Sequence, residues 1–232
     1  MCGRYTLATP DPSALRARFP VGEGVEIRRR FNVAPGDDVL AVTADRDGAP
    51  GGRLLRWGLV PHWAQDPRTG YKMINARAET ILERPAYRDA FRTRRCLILA
   101  DGFYEWGPRP GLAKQPWWIT RADGAPFAFA GLWATWRAPD DAALRTCTIV
   151  TTRAAPSLAR LHDRMPVILE PGAEQVWLDG AAAPGELEEL LRPLPDAELA
   201  KRMVGSAVND ARYDGPECLE PPEPDAVPAT LF

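Results

Sequence analysis

Short runs of aromatic and β-branched residues recur along this chain, separated by turns rich in glycine, proline and aspartate, with no regular alternation of strand and helix. Residues 39–43, 96–100, 117–120, 127–136 and 147–152 have the composition of strands. Residues 53–60 form another, and the Asp- and Gly-rich stretch 45–52 ahead of it predicts a hairpin with 39–43. Helical patterning is confined to short pieces: 13–19 with Ser13 near its start, 85–94, one or two turns within 156–161, 173–178 and 186–191. A parallel doubly wound sheet needs a helix after nearly every strand, so that fold is excluded. The pattern predicts an α+β fold: one domain on a curved, barrel-like, mainly antiparallel β-sheet with flanking short helices. That domain is expected over residues 1–213. Residues 214–232, acidic and proline-rich with no core-forming pattern, are expected to be a mobile tail.

At 45% hydrophobic residues over 232 positions the chain has material for a real core. No apolar run approaches the ~20 residues of a membrane span, and no secretory signal pattern opens the sequence. Cys2, Cys96, Cys147 and Cys218 are far apart and there are two histidines, which predicts reduced thiols, a cytoplasmic location, no metal and no cofactor. The net charge of −2 argues against nucleic acid, but its distribution does not. Residues through Arg164 carry 25 Lys and Arg against 17 Asp and Glu, and the remainder 4 against 14. Only Lys72 and Lys114 of those 25 are lysines. Arginine suits bidentate contact with phosphate and stacking on bases; a GC-rich coding bias gives the same composition.

Cys2 offers chemistry that no internal cysteine has. Removal of Met1 by an aminopeptidase leaves a free α-amine and a thiol on adjacent carbons. Such an aminothiol condenses with an aldehyde to an imine, and sulfur then closes a five-membered thiazolidine. The α-amine titrates at about 7.7–8.0 against 10.4 for lysine, so roughly a tenth of it is neutral and nucleophilic at pH 7.

Four short segments set polar residues in apolar or turn-like contexts: Cys2-Gly3-Arg4-Tyr5, Asn75-Ala76-Arg77-Ala78-Glu79-Thr80, Gly102-Phe103-Tyr104-Glu105-Trp106 and His162-Asp163-Arg164-Met165-Pro166. Read singly, each has an ordinary explanation. Glu105 reads as an exposed strand position, Asn75 as a turn cap and His162 as a satisfied surface histidine. Taken together, with Phe31-Asn32-Val33-Ala34-Pro35, Arg56-Trp57-Gly58-Leu59-Val60-Pro61-His62-Trp63 and Arg94-Arg95-Cys96-Leu97, they resemble the SRAP family, the SOS response-associated peptidase-like proteins that protect abasic sites in single-stranded DNA. The match runs in the family's order from Cys2 to about Asn209. It departs at Gly36-Asp37-Asp38, where the family often has threonine, and in the loop 65–71.

The resemblance implies that Cys2 forms a covalent thiazolidine crosslink with the ring-opened abasic sugar, with lyase, reversal and self-processing activities in the same family. It implies catalytic roles for Asn75 in positioning the cysteine or sugar, for Glu105 as general acid/base and for His162 in stabilising the opened sugar. Arg4, Arg77 and Arg164 are the expected phosphate contacts, and Trp106, the tryptophan expected nearest the site, is the fourth expected DNA-binding residue. The expected partner is single-stranded DNA containing abasic sites, bound by a monomer. The competing reading is an N-terminal-nucleophile cysteine hydrolase, either a peptidase or a glutamine amidotransferase. The amidotransferase typically uses an Asn-Gly pair for its oxyanion, and Asn32, Asn75 and Asn209 are followed by Val, Ala and Asp.

Overall fold

The computed structural model describes residues 2–9, 11–45, 47–108 and 114–223. Strands β3 (Asp38–Ala44) and β4 (Pro50–Trp57) form the expected hairpin. Its turn is held by Asp45, whose Oδ1 accepts from the backbone of Asp47 at 2.9 Å and of Ala49 at 2.8 Å. The expected strand at 96–100 is β6 (Arg95–Ala100), buried along its whole length beside β3. The ladder continues through β9 (Phe127–Arg137) and β10 (Ala143–Arg153), and β10 runs parallel to β4. These five strands therefore close into a ring. Side chains on the ring strands alternate between two clusters. Val39, Ala41, Cys96, Ile98, Phe127 and Phe129 face one, while Leu40, Val42, Leu97, Leu99, Ala128 and Ala130 face the other.

The second cluster is covered by helices α1 (Pro12–Arg18), α2 (Pro85–Thr93), α3 (Pro171–Leu178) and α4 (Pro184–Glu189). Each begins on proline, which suits a position whose N–H has no helical partner. Asp11, not Ser13, caps α1, accepting from the Ser13 backbone at 2.8 Å. The 156–161 stretch makes one 3-10 turn, Pro156–Leu158. Arg95 is buried between α2 and α3, and its guanidinium donates to the carbonyls of Phe91, Arg92, Trp177 and Asp179 at 2.6–2.7 Å.

The first cluster is covered by a five-stranded antiparallel sheet. Its order is β13 (Leu199–Met203), β8 (Gln115–Arg121), β7 (Gly102–Gly107), β1 (Tyr5–Leu7) and β2 (Arg30–Val33). Only Asp101 separates β6 from β7, and its carboxylate pins the first strand by accepting from Thr6 Oγ1 at 2.6 Å and the Ala8 backbone at 2.7 Å. Short strands complete the ring sheet: β5 (Asn75–Arg77) parallel to β10, β11 (Arg164–Pro166) antiparallel to β10, and β12 (Ile168–Leu169) beside β9. The loop entering β5 is set by a backbone crossing. A Cβ on Gly58, whose φ is +125°, would lie 2.7 Å from the Gly70 carbonyl oxygen, so neither glycine tolerates a side chain there.

The α+β architecture with a barrel-like, mainly antiparallel sheet agrees with the sequence. The tail boundary at residue 214 does not. Asp214 Oδ1 accepts from the backbones of Phe31 at 2.6 Å and Asn32 at 2.7 Å, and its carboxylate pairs with Arg30. A 3-10 turn, Pro216–Leu219, then buries Cys218 completely. The acidic composition that reads as tail here supplies a carboxylate to the edge of β2. Residues 224–232 of the expected tail lie outside the described residues. No helix among the described residues is long and apolar enough to cross a membrane.

Candidate active site

Cys2 sits just ahead of β1, fully buried in the cluster between the ring and the five-stranded sheet. Its thiol donates to the Arg4 carbonyl at 3.7 Å. Its own carbonyl accepts from Asn75 Nδ2 at 2.8 Å. Asn75 begins β5, and its carbonyl accepts from Tyr87 Oη at 3.3 Å. Burial pushes the Cys2 thiol up, and the Glu105 charge pushes further; the chain's terminal ammonium and the bond to Arg4 oppose both. Sulfur at this position rests as the protonated thiol.

Glu105 lies in the middle of β7, 6% exposed. Strand alternation puts it on the same face as Phe103, toward the cluster that holds Cys2. Burial raises its pKa, against the terminal ammonium and Lys114. The residue opposite on β8 is Trp117, which packs against the same cluster. Trp106 points the other way. Its ring joins Tyr104, Val204, Val208 and Cys218, and its Nε1 donates to Asn209 Oδ1 at 2.8 Å. The tryptophan on Glu105's face is thus Trp117, directly opposite across the β7–β8 ladder rather than next along the chain. The period of two along a strand is the signal that separates them.

His162 follows the 156–158 turn and is half-buried. Leu161 carries it to the end of β7, where a Cβ on Gly107 would lie 2.6 Å from Leu161 Cδ2. Its Nδ1 lies between two groups, 3.0 Å from the Arg164 backbone nitrogen and 2.8 Å from Asp163 Oδ1, which leaves Nε2 as the ring nitrogen without either contact. Burial lowers the His162 pKa and the terminal ammonium lowers it further, while Asp163, 2.8 Å from Nδ1, pulls the other way. The neutral imidazole prevails at pH 7. Glu105 and His162 both feel the charge of Lys114, a cation that the sequence did not single out as a site residue.

The three arginines are not equivalent. Arg4 Nη1 donates to Asn32 Oδ1 at 2.9 Å and to the Val208 carbonyl at 2.8 Å. Arg164 is clamped bidentately by Glu79 at 3.2 and 2.8 Å and donates to the Thr151 carbonyl at 2.6 Å. Arg77 is exposed and, two residues along β5 from Asn75, projects from the same face of that strand. Among the described residues no cluster of three metal-ligating side chains occurs.

Fold and site together define a ringed α+β protein whose first cysteine, Cys2, is wedged between two sheets. Residues 1–211 match the family model of the SOS response associated peptidases (SRAP), and the chain belongs to that family. It is 41% identical over 226 residues to the abasic site processing protein YoaM of Bacillus subtilis, covering 95% of this chain and 98% of the relative. It is 33% identical over 190 residues to the abasic site processing protein HMCES of Xenopus tropicalis, covering 71% of this chain and 56% of that protein. A crystal structure from Bacteroides thetaiotaomicron shares the fold with a TM-score of 0.82 at 21% identity, over 96% of this chain and all of that one. A phage-related protein of Bordetella bronchiseptica superposes with a TM-score of 0.70 at 30% identity, over the same shares of the two chains.

Proposed function

We propose that this protein processes abasic sites in single-stranded DNA, shielding them by a covalent thiazolidine link to Cys2 once Met1 has been removed. The observation that carries the reading is the Asn75–Cys2 bond, which holds the cysteine in the cluster toward which strand alternation turns Glu105. Relatives named abasic site processing proteins support the substrate.

The chemistry follows from the protonation states. The resting sulfur is a thiol, so the α-amine attacks first. It adds to the C1′ aldehyde of the ring-opened sugar, and the carbinolamine loses water to give the imine. Glu105, with its raised pKa, takes the proton from the amine and returns one to the departing hydroxyl. The Cys2 S–H then adds across C=N, sulfur to carbon and proton to nitrogen, closing the ring. One water is lost overall. His162, a neutral imidazole, hydrogen-bonds the opened sugar oxygen through Nε2. Arg77 contacts a flanking phosphate. The protein acts as a cytoplasmic monomer without metal or cofactor. Reversal runs the same steps backward, whereas strand cleavage departs from the imine, which loses a C2′ proton and expels the 3′ phosphate. A cysteine hydrolase instead needs a thiolate, which burial and Glu105 both disfavour here.

Intact mass spectrometry after incubation with a uracil oligonucleotide treated with uracil-DNA glycosylase tests the reading. The expected adduct has the mass of the chain without Met1 plus the oligonucleotide less one water, and Cys2→Ala forms none. A mature chain that retains Met1, or an adduct that survives Cys2→Ala, overturns it.

A further inference from the structure

The turn Ser206–Asn209 grips strand β7 and the segment leading into β1 at once. On one side the Val208 carbonyl accepts from Arg4 Nη1 at 2.8 Å. On the other, Asn209 Oδ1 accepts from Trp106 Nε1 at 2.8 Å. Arg4 lies two residues after Cys2, and Trp106 is next to Glu105. Between the two grips Val208 is fully buried against Tyr104 and Trp106. Asn32 locks the turn from below: its Nδ2 donates to the carbonyls of Asp210 at 2.9 Å and Tyr213 at 2.7 Å, while its Oδ1 takes Arg4.

The first strand needs such help. It has three residues, its pairing with β2 is irregular between Tyr5 and Leu7, and it meets β7 at Tyr5↔Phe103 and Thr6↔Gly102. Beyond that ladder the Arg4 carbonyl is the junction, accepting both the Tyr104 N–H at 3.0 Å and the Cys2 thiol at 3.7 Å. A ladder this short leaves the angle between Cys2 and Glu105 to be set from outside, and a misplacement of about 1 Å between reacting groups reduces rates by up to ~100-fold.

We propose that the Ser206–Asn209 turn is a positioning element for the Cys2 reaction, with Asn209 holding β7, and therefore Glu105, through Trp106. This rests on the roles given above to Cys2 and Glu105. Asn209 touches none of the reacting atoms and lies on the opposite face of β7 from Glu105; its effect is on geometry.

The test is single-turnover crosslinking at saturating abasic oligonucleotide, with noncovalent affinity measured separately on a Cys2→Ala background using a tetrahydrofuran abasic analogue. Asn209→Ala is expected to slow crosslinking about tenfold, with affinity within about twofold of the parent and the pH dependence of the rate displaced. Asn209→Asp, which keeps the acceptor, restores the rate to within about threefold. Trp106→Phe, which removes the donor, slows the reaction as Asn209→Ala does, and the double variant falls no further. A parental rate in Asn209→Ala, an equal loss of affinity, or multiplying effects in the double variant overturns the proposal. Should Asn209→Ala not fold, Trp106→Phe against Asn209→Asp decides, and a parental rate in Trp106→Phe sinks it. A parent that crosslinks while these expectations fail condemns only the positioning role; a parent that never crosslinks condemns the reading of Cys2 as well.

Discussion

The side-chain amide of Asn75 donates to the backbone carbonyl of Cys2 at 2.8 Å, joining strand β5, which runs parallel to β10, to the segment just ahead of β1. Cys2 belongs to no strand of its own. This bond and the thiol contact to Arg4 are its polar anchors among the described residues. Asn75→Ala is therefore expected to slow crosslinking about tenfold or more with little change in DNA affinity. Asn75→Asp, which replaces the donor by an acceptor, behaves at least as poorly. Single-turnover gels beside anisotropy titrations check both, and a rate loss explained wholly by weaker binding refutes the positioning role.

Glu105 predicts a pH signature in stability. Burial raises its folded pKa above the value in the unfolded chain. Below the unfolded value both states hold the proton and burial exacts no ionisation penalty. As pH rises through the folded value, the unfolded state has already released its proton and stability is lost. Glu105→Gln cannot ionise, so its melting temperature relative to the parent rises from acid toward neutral pH and then levels off. Thermal melts between about pH 4 and 8 measure this; a difference independent of pH contradicts it. The same variant crosslinks slowly.

Arg77 and Arg164 are expected to part company. Arg77→Ala leaves the melting temperature unchanged, weakens binding uniformly across sequences and reduces the slope of log K against log salt by about 0.7. Arg164 is 11% exposed and tied to Glu79 and Thr151. Arg164→Ala destabilises the fold by about 1–3 kcal/mol, because it strands the carbonyl of the buried Thr151. Salt titrations and urea denaturation on both variants separate the two.

Arg95 carries no carboxylate partner among the described residues, yet it satisfies four carbonyls at the ends of α2 and α3. Arg95→Leu removes every donor and leaves those carbonyls in a buried setting, at a loss of about 3 kcal/mol or more by urea denaturation. Arg95→Lys recovers only part, since one ammonium cannot span two helix ends.

What the sequence made legible was what depends on neighbours along the chain. The hairpin of β3 and β4 follows from its Asp-Gly turn, β6 from a continuous apolar run, and α2 from its helical patterning. Three-residue strands such as β1 and β5 carry no such pattern and exist through pairing with distant partners. The candidate site was legible through its motifs, but not its wiring. Adjacency favoured Trp106, whereas the pleat turns it away and brings Trp117 onto Glu105's face. Charge marked Arg4 and Arg164 as phosphate contacts, yet their guanidinium groups bind Val208, Asn32 and Glu79. Which acceptor an arginine meets is decided by tertiary packing, and composition does not encode it.

Asp214 has one more implication. The family match ends at residue 211, and a protein trimmed to that limit would lose the carboxylate that covers the Phe31 and Asn32 amides. Bare amides on an outermost strand are a template for a second molecule's backbone. A shortened version would therefore be expected to self-associate, and its behaviour in solution would report on an unsealed seam rather than on damaged DNA.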